Sequence, residues 1–394
     1  METSASRLAS LGALLAVLAP SALPPAAGAA TSGRPHAGEP RLEAVTTGRR
    51  AERRETVPIS SRSGLEPRSV LSVGLPRLVR GSRIDVNGEV TISTTCVEQI
   101  SRCIGRSYRF DPHLRAWIVL ASDPDATGAR RTVKVSGAAK LTCEQTRPNR
   151  NHHCPLVVER GSFEVGDLRD LPCPPRDCRL NMLVDAASRK ATSGEVVVVG
   201  SDQENGSVEG GKARLGAMVS DGRVESARHR TKRERTDSLP ASFENGKEVV
   251  YSQRLGKARA GDVLYVRARQ MSAISGMPYF VSDQVIVSTR PNATRPSALA
   301  RRAVSRAGTV TETNGFNCTL GSSAFTSPCR TRKVGVATIE RTPRSKTGRP
   351  KALYVNLVSR GFPKLAQGRI AERGFPPVRI ADGGYLEVTR MRSR

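Results

Sequence analysis

The stretch Cys143-Glu-Gln-Thr-Arg-Pro-Asn-Arg-Asn-His-His-Cys154 is answered late in the chain by Cys318-Thr-Leu-Gly-Ser-Ser-Ala-Phe-Thr-Ser-Pro-Cys329, ten residues between cysteines in both. The flanks repeat as well. Val70, Ser72, Leu75, Gly81, Ile84 and Val86 stand opposite Val250, Ser252, Leu255, Gly261, Leu264 and Val266, a constant offset of 180 (264 − 84). Trp117 to Thr127 resembles the segment ending at Thr294, and the cysteine loops follow at an offset of 175 (329 − 154). Leu180 to Val184 aligns with Leu353 to Leu357, and Gly194-Glu195-Val196 with Gly384-Tyr385-Leu386. Five segments in one order describe a duplicated domain.

Each copy is built from short Val, Ile and Leu runs between Gly, Pro, Asn and Asp clusters, the pattern of an all-β sandwich or barrel. Ser69 to Val73, Ile84 to Val86, Trp117 to Leu120, Leu156 to Val158, Leu180 to Val184 and Val196 to Val199 are such runs. No apolar period of 3.6 stands out in the mature region, so little helix is expected. The fold class is two tandem copies of an antiparallel β-sandwich domain, jelly-roll or Ig-like, at 56–218 and 238–392. The repeated Gly-Ser/Asp-x-Ile/Leu-x-Val is a strand entered through a tight glycine turn. Alternation along it sets Leu264 and Val266 inward and Tyr265, the counterpart of Asp85, outward.

The N-terminus reads as a secretory signal peptide over 1–29. Arg7 precedes an apolar run from Leu8 to Ala19, and Ala27-Gly28-Ala29 offers a small-residue cleavage site. The run falls short of the about 20 residues that span a bilayer, and Pro20, Pro24 and Pro25 interrupt any extension. A secreted, extracellular protein with no transmembrane segment in its mature chain is expected. Residues 30–55 read as a flexible polar lead-in.

Eight cysteines on an exported chain read as four disulfides. Local spacing pairs Cys96 with Cys103, Cys143 with Cys154, Cys173 with Cys178 and Cys318 with Cys329. A zinc site at Cys143, His152, His153 and Cys154 is disfavoured because Ser327 and Pro328 replace the histidines in the second copy. Calcium at Asp123 and Asp125 is disfavoured likewise, since Arg290 and Asn292 stand there. A turn capped by Asp or Asn explains both versions. No cofactor or metal is expected.

Lys and Arg number 63 against 36 Asp and Glu, a formal charge of +27. Such a field attracts polyanions, and export directs it to anionic cell-wall or extracellular polymers or an acidic protein rather than to intracellular nucleic acid. The basic stretch within the linker 219–237 is the sharpest candidate. Arg228, Arg230, Lys232, Arg233 and Arg235 surround a single Glu, and guanidinium suits bidentate oxyanion contact. A solvated tether is its plain alternative.

Catalytic signals are weak. Gly-x-Ser-x-Gly is absent, and His113 beside Asp111 has no counterpart in the second copy. Asp123, Asp125, Glu144, Glu159, Glu164 and Asp185 could furnish a glycosidase pair, but such carboxylates must lie about 5 to 9.5 Å apart, which spacing does not reveal. Aromatics are 4% of residues, so a stacking platform for sugars is not expected; Trp117 reads as core, and Tyr279 and Phe280 as loop residues.

Val249 to Leu255 and Asn314 to Thr319 resemble segments of uncharacterised exported proteins of actinomycetes. That resemblance implies export and a disulfide-bonded β fold, and no particular chemistry. The reading is a secreted, non-enzymatic binding protein acting through a basic surface. An extracellular polysaccharide hydrolase with its site at the domain junction, and a structural component of an extracellular assembly, are the alternatives.

Overall fold

Glycine opens the same turn in both copies. Gly81 and Gly261 have φ of 83° and 85°, conformations that side chains with a Cβ avoid. Gly81 N–H donates to the Val165 carbonyl and Gly261 N–H to that of Ile339, each at 2.7 Å; Val165 and Ile339 donate back to Ser82 and Asp262, each at 2.8 Å. The strand that follows is β4 (Arg83–Thr94) in the first copy and β15 (Val263–Ala273) in the second. The computed structural model describes residues 41–48, 55–60, 67–94, 113–126, 131–142, 152–187, 195–199, 213–221, 224–236, 238–239, 247–273, 279–303, 314–318, 329–363 and 378–393.

In the second copy, β12 (Val224–Thr231), β20 (Val378–Ser393), β15 and β18 (Cys329–Thr338) form one sheet in that order, with β13 (Ser238–Leu239) also on β20. The other sheet runs β14 (Lys247–Gly256), β19 (Leu353–Pro363), β16 (Tyr279–Ser288), β17 (Asn314–Cys318). Numbering the strands 1 to 8, with β13 continuing the first, gives orders 1-8-3-6 and 2-7-4-5, the double Greek key of a jelly roll. Every pairing in it is antiparallel.

The first copy follows the same plan. β1 (Arg41–Gly48), β11 (Arg214–Asp221), β4 and β8 (His152–Glu164) make the 1-8-3-6 sheet. β3 (Arg68–Gly74), β9 (Arg179–Ala187) and β5 (His113–Ala121), with β6 (Val133–Lys134) and β7 (Ala139–Thr142) on its far side, make the 2-7-4-5 sheet. β2 (Glu55–Ser60) joins the sheets, antiparallel to β10 (Glu195–Val199) and, over two residues, parallel to β9. The described helices are short: one 3₁₀ turn at Leu168–Asp170 and α1 at Ala298–Ala303. The expected all-β tandem sandwich is the fold observed, and the jelly-roll form of it is the one adopted.

Each sandwich has its own core. Ile84, Val86, Ile118, Leu120, Leu180 and Leu215 lie in the first, and Leu264, Val266, Val285, Val287, Val355 and Leu386 in the second. Leu264 and Val266 point inward as alternation requires, while Val263 and Tyr265 join a separate cluster with Met218 and Val336 that spans the two copies. The strands all belong to one compact unit, Pro40–Arg394.

Strand register tests the sequence alignment. Offsets of 180 for β4/β15 and 175 for Cys154/Cys329 hold, because Ile92 faces Cys154 as Ser272 faces Cys329. Two alignments are corrected. Ser72 faces Asn181 as Ser252 faces Asn356, so Asn181 answers Asn356 and the true offset is 175, two residues from the sequence match. Gly88 faces Leu215 as Ala268 faces Leu386, so Leu386 answers Leu215, not Val196. The reason is that the eighth strand is continuous in the second copy, with an irregularity around Asp382 to Gly384, whereas in the first it is divided into β10 and β11.

Two stretches expected to be irregular carry strands instead. Residues 41–48 of the polar lead-in form β1 and pair with β11 over their whole length, and residues 224–231 of the basic linker form β12 on β20. Each is the first strand of its jelly roll. Both are edge strands, whose open side faces solvent and therefore tolerates charge. Residues 1–29, assigned to the signal peptide, lie outside the described residues. Among the described residues, no helix is long and apolar enough to cross a membrane.

Candidate anion-binding site

The outward faces of the two 1-8-3-6 sheets meet, and a cavity of about 180 Å³ is lined by residues of both. The first copy contributes Arg83, Asp85 and Arg160; the second contributes Arg228, Tyr265, Arg267 and Glu387, with Ser226, Thr389 and Met391. Two-residue alternation explains the selection. Arg83 and Asp85 flank the core residue Ile84 on β4, and Tyr265 and Arg267 flank Val266 on β15.

Both carboxylates are held by guanidinium groups. Arg83 grips Asp85 through Nε at 3.0 Å and a terminal nitrogen at 3.1 Å, which raises the arginine's pKa further. Glu387, 3% exposed, accepts from Arg228 and from Arg267, whose Nε lies 3.0 Å away. Burial pushes the Glu387 carboxyl up, but the hydrogen bonds and charges of Arg228 and Arg267 outweigh it, and the group titrates below its ordinary range. Arg230 approaches Glu387 at 4.0 Å and lies 4.3 Å from the centre of the Tyr385 ring, with Arg269 5.5 Å from the same ring. Tyr265 floors the cavity. Its hydroxyl lies 2.9 Å from the Val86 carbonyl and 3.1 Å from that of Glu159, and burial keeps it protonated.

Four arginines against two carboxylates leave this cavity with two excess positive charges (4 − 2). Arg160 is exposed and forms no ion pair among the described residues. Arg228 keeps 55% of its side chain exposed although bonded to Glu387. The arrangement suits capture of an oxyanion. The general acid of a glycoside hydrolase needs a raised pKa, and the Glu387 carboxyl is shifted the other way.

Of the five basic residues read from the sequence, the structure brings only Arg228 into the cavity, with Arg230 beside it. Lys232, Arg233 and Arg235 are exposed in the segment after β12. That segment is anchored rather than free: Glu234 accepts from the buried Tyr251 hydroxyl at 2.7 Å, and Arg235 N–H donates to the Val250 carbonyl at 2.8 Å. Arg83, Asp85, Arg160, Arg267 and Glu387 were not singled out. Charged residues at outward positions of strands interior to a sheet were the available signal, since such a face needs a covering partner.

Cys173 and Cys178 form the expected disulfide, with S–S 2.03 Å and Cα–Cα 5.1 Å. Cys96, Cys103 and Cys143 lie outside the described residues, as do the side chains of Cys154, Cys318 and Cys329 and those of His152 and His153, so three of the four expected pairings fall outside what the structure describes. Asp123 caps its own turn, accepting from Asp125 N–H at 3.1 Å and Ala126 N–H at 2.6 Å, which is the expected proline-turn geometry. Trp117 is half-buried against Val119, Ala121, Ala126 and Leu183 on the outer side of its sheet, not in the main core where the sequence reading put it. Asp185 is held by Arg115. Among the described residues, no group of three His, Cys, Asp or Glu is placed to hold a metal ion.

No protein-family model matches the chain, and no curated protein matches it. Among solved structures it is similar to PNGase F, a glycosylasparaginase from Flavobacterium meningosepticum, at 10% identity over 89% of this chain and 96% of that one, with a TM-score of 0.18. The VP2 protein of infectious bursal disease virus matches at 9% identity over 89% and 70%, TM-score 0.26. The tandem CBM22 modules of Paenibacillus barcinonensis Xyn10C match at 10% identity over 89% and 93%, TM-score 0.15. At these scores none of the three bears on what this chain binds or does.

Proposed function

We propose that this is an exported, non-enzymatic binding protein that associates with anionic cell-envelope polymers. The observation that carries the reading is the cavity between the copies, where four arginines meet two carboxylates already committed to them. The Cys173–Cys178 disulfide suits an oxidising compartment, the signal-like N-terminus supports export, and the +27 charge supplies long-range attraction to a polyanion. The test is retention of the purified protein on cell-wall material across a salt series. Charge-driven association declines steeply between 0.05 and about 0.5 M salt, where the Debye length shortens to a few ångströms. Retention indifferent to salt, or glycan turnover abolished by Asp85→Asn, would overturn the proposal.

A further inference from the structure

Arginines continue beyond the cavity in register. On β20, Glu387 faces Arg230 of β12 on one side and Arg267 of β15 on the other. Two residues along, Tyr385 faces Arg269, which in turn faces Arg332 of β18. Positions two apart on one strand lie about 6.7 Å apart on the same face, so Arg228 and Arg230, like Arg267 and Arg269, present cations at a regular step. Arg228, Arg230 and Arg332 keep 55%, 39% and 37% of their side chains exposed, although Arg228 is paired with Glu387 and Arg332, at 3.1 Å, with Glu159 of the first copy.

The cavity at the head of this row has a mixed floor, with the Tyr265 ring and Met391 beside the hydroxyls of Ser226 and Thr389. A cavity of about 150 Å³ holds a molecule the size of benzene, so 180 Å³ takes one six-membered ring. A bare phosphate would fill the charge requirement and leave that floor uncovered. A pyranose bearing a carboxylate satisfies both.

We infer that the junction binds an unbranched acidic glycan with one carboxylate per sugar ring, seating one ring in the cavity between Arg160 and Arg228 and laying its neighbours along Arg230 and Arg332. This rests on the anion-binding reading above and narrows it to a ligand class. Binding is multivalent: successive carboxylates engage successive arginines, and affinity grows with chain length.

The experiment is calorimetric titration of the full chain with oligogalacturonates of one to six units, the same hexamer as its methyl ester, and polyphosphate of similar length. The expected result is at least tenfold tighter binding of the hexamer than of the monomer and no measurable binding of the ester. Arg160→Gln, at an exposed position with no ion pair to lose among the described residues, should weaken the hexamer about fivefold or more, and Arg230→Gln should reduce the gain from added length. Equal affinity for monomer and hexamer, binding of the ester, or an unaffected Arg160→Gln protein overturns the inference. Polyphosphate bound in a salt-sensitive manner while galacturonates are ignored removes the glycan and leaves the anion-binding reading standing. No binding of any of these anions removes both.

Discussion

Lys333 of the second copy and Glu89 of the first meet at 2.9 Å, and each side chain is only 1% exposed. A buried pair owes its existence to mutual compensation, since either charge alone is strongly disfavoured away from water. Lys333→Met is therefore expected to cost about 3–5 kcal/mol, and Lys333→Met with Glu89→Leu markedly less than the single change. Urea denaturation of both variants measures the difference; a double variant no better than the single would contradict it.

The amides of Asn181 and Asn356 make the same connection in each copy. Asn181 Nδ2 donates to the Asp123 carbonyl at 3.0 Å; Asn356 Nδ2 donates to the carbonyls of Arg290 and Ala293 at 3.1 and 3.2 Å and its Oδ1 accepts from Ser252 at 2.7 Å. Both side chains are fully buried. Replacement by alanine strands turn carbonyls, at about 1–3 kcal/mol per unsatisfied group, so Asn356→Ala is expected to lower the denaturation midpoint more than Asn181→Ala.

Two glycines separate conformational strain from steric conflict. A Cβ at Gly261 meets open space, so Gly261→Ala carries only the positive-φ penalty of about 1–2 kcal/mol. A Cβ at Gly384 collides with the Tyr251 hydroxyl oxygen and lies 2.8 Å from the Arg269 carbonyl oxygen. Gly384→Ala must displace backbone and the Tyr251–Glu234 bond, and is expected to reach or exceed the upper end of the about 1–3 kcal/mol usual for overpacking. Thermal melts of the two variants rank them.

Two carboxyls should give opposite pH signatures. Glu387 titrates below its unfolded value, so its contribution is present above about pH 4 and disappears as pH falls through the folded pKa. Asp283 is raised by burial, against hydrogen bonds from Ser359 and Thr331 and the charge of Lys333, so the fold favours its protonated form. Its contribution is present below about pH 4 and is lost as pH rises through the folded pKa. Glu387→Gln should then cost about 1.5–3 kcal/mol at pH 7, the range for hydrogen bonds to charged groups, and little at the lowest pH that the fold tolerates. Asp283→Asn should improve stability relative to the parent more at pH 7 than at pH 4. Urea midpoints across this range check both signs.

The duplication was legible because core strands carry apolar residues at period two, and β4 and β15 keep theirs at one fixed spacing. β9 and β19 were misaligned by two residues for the same reason: a slip of two keeps every side chain on its face, and only the buried Asn181 and Asn356 mark the true register. β1 and β12 escaped notice because their few half-buried apolar residues, Leu42, Ala44, Val45, Val224 and Ala227, fall at irregular spacing among Arg, Glu, Ser, His and Thr, leaving no regular apolar alternation to read. The cavity was invisible since Asp85, Arg160, Arg228, Arg267 and Glu387 come from five strands scattered over most of the chain, and nothing local links them.

β11 ends at Asp221 and β12 begins at Val224, so every strand of one jelly roll precedes that seam and every strand of the other follows it. A single protease nick there would sever the polypeptide without dismembering either half. The fragments, clasped by Lys333 on Glu89 and Tyr265 on the Val86 carbonyl, should copurify as a noncovalent pair until the clasp itself is broken.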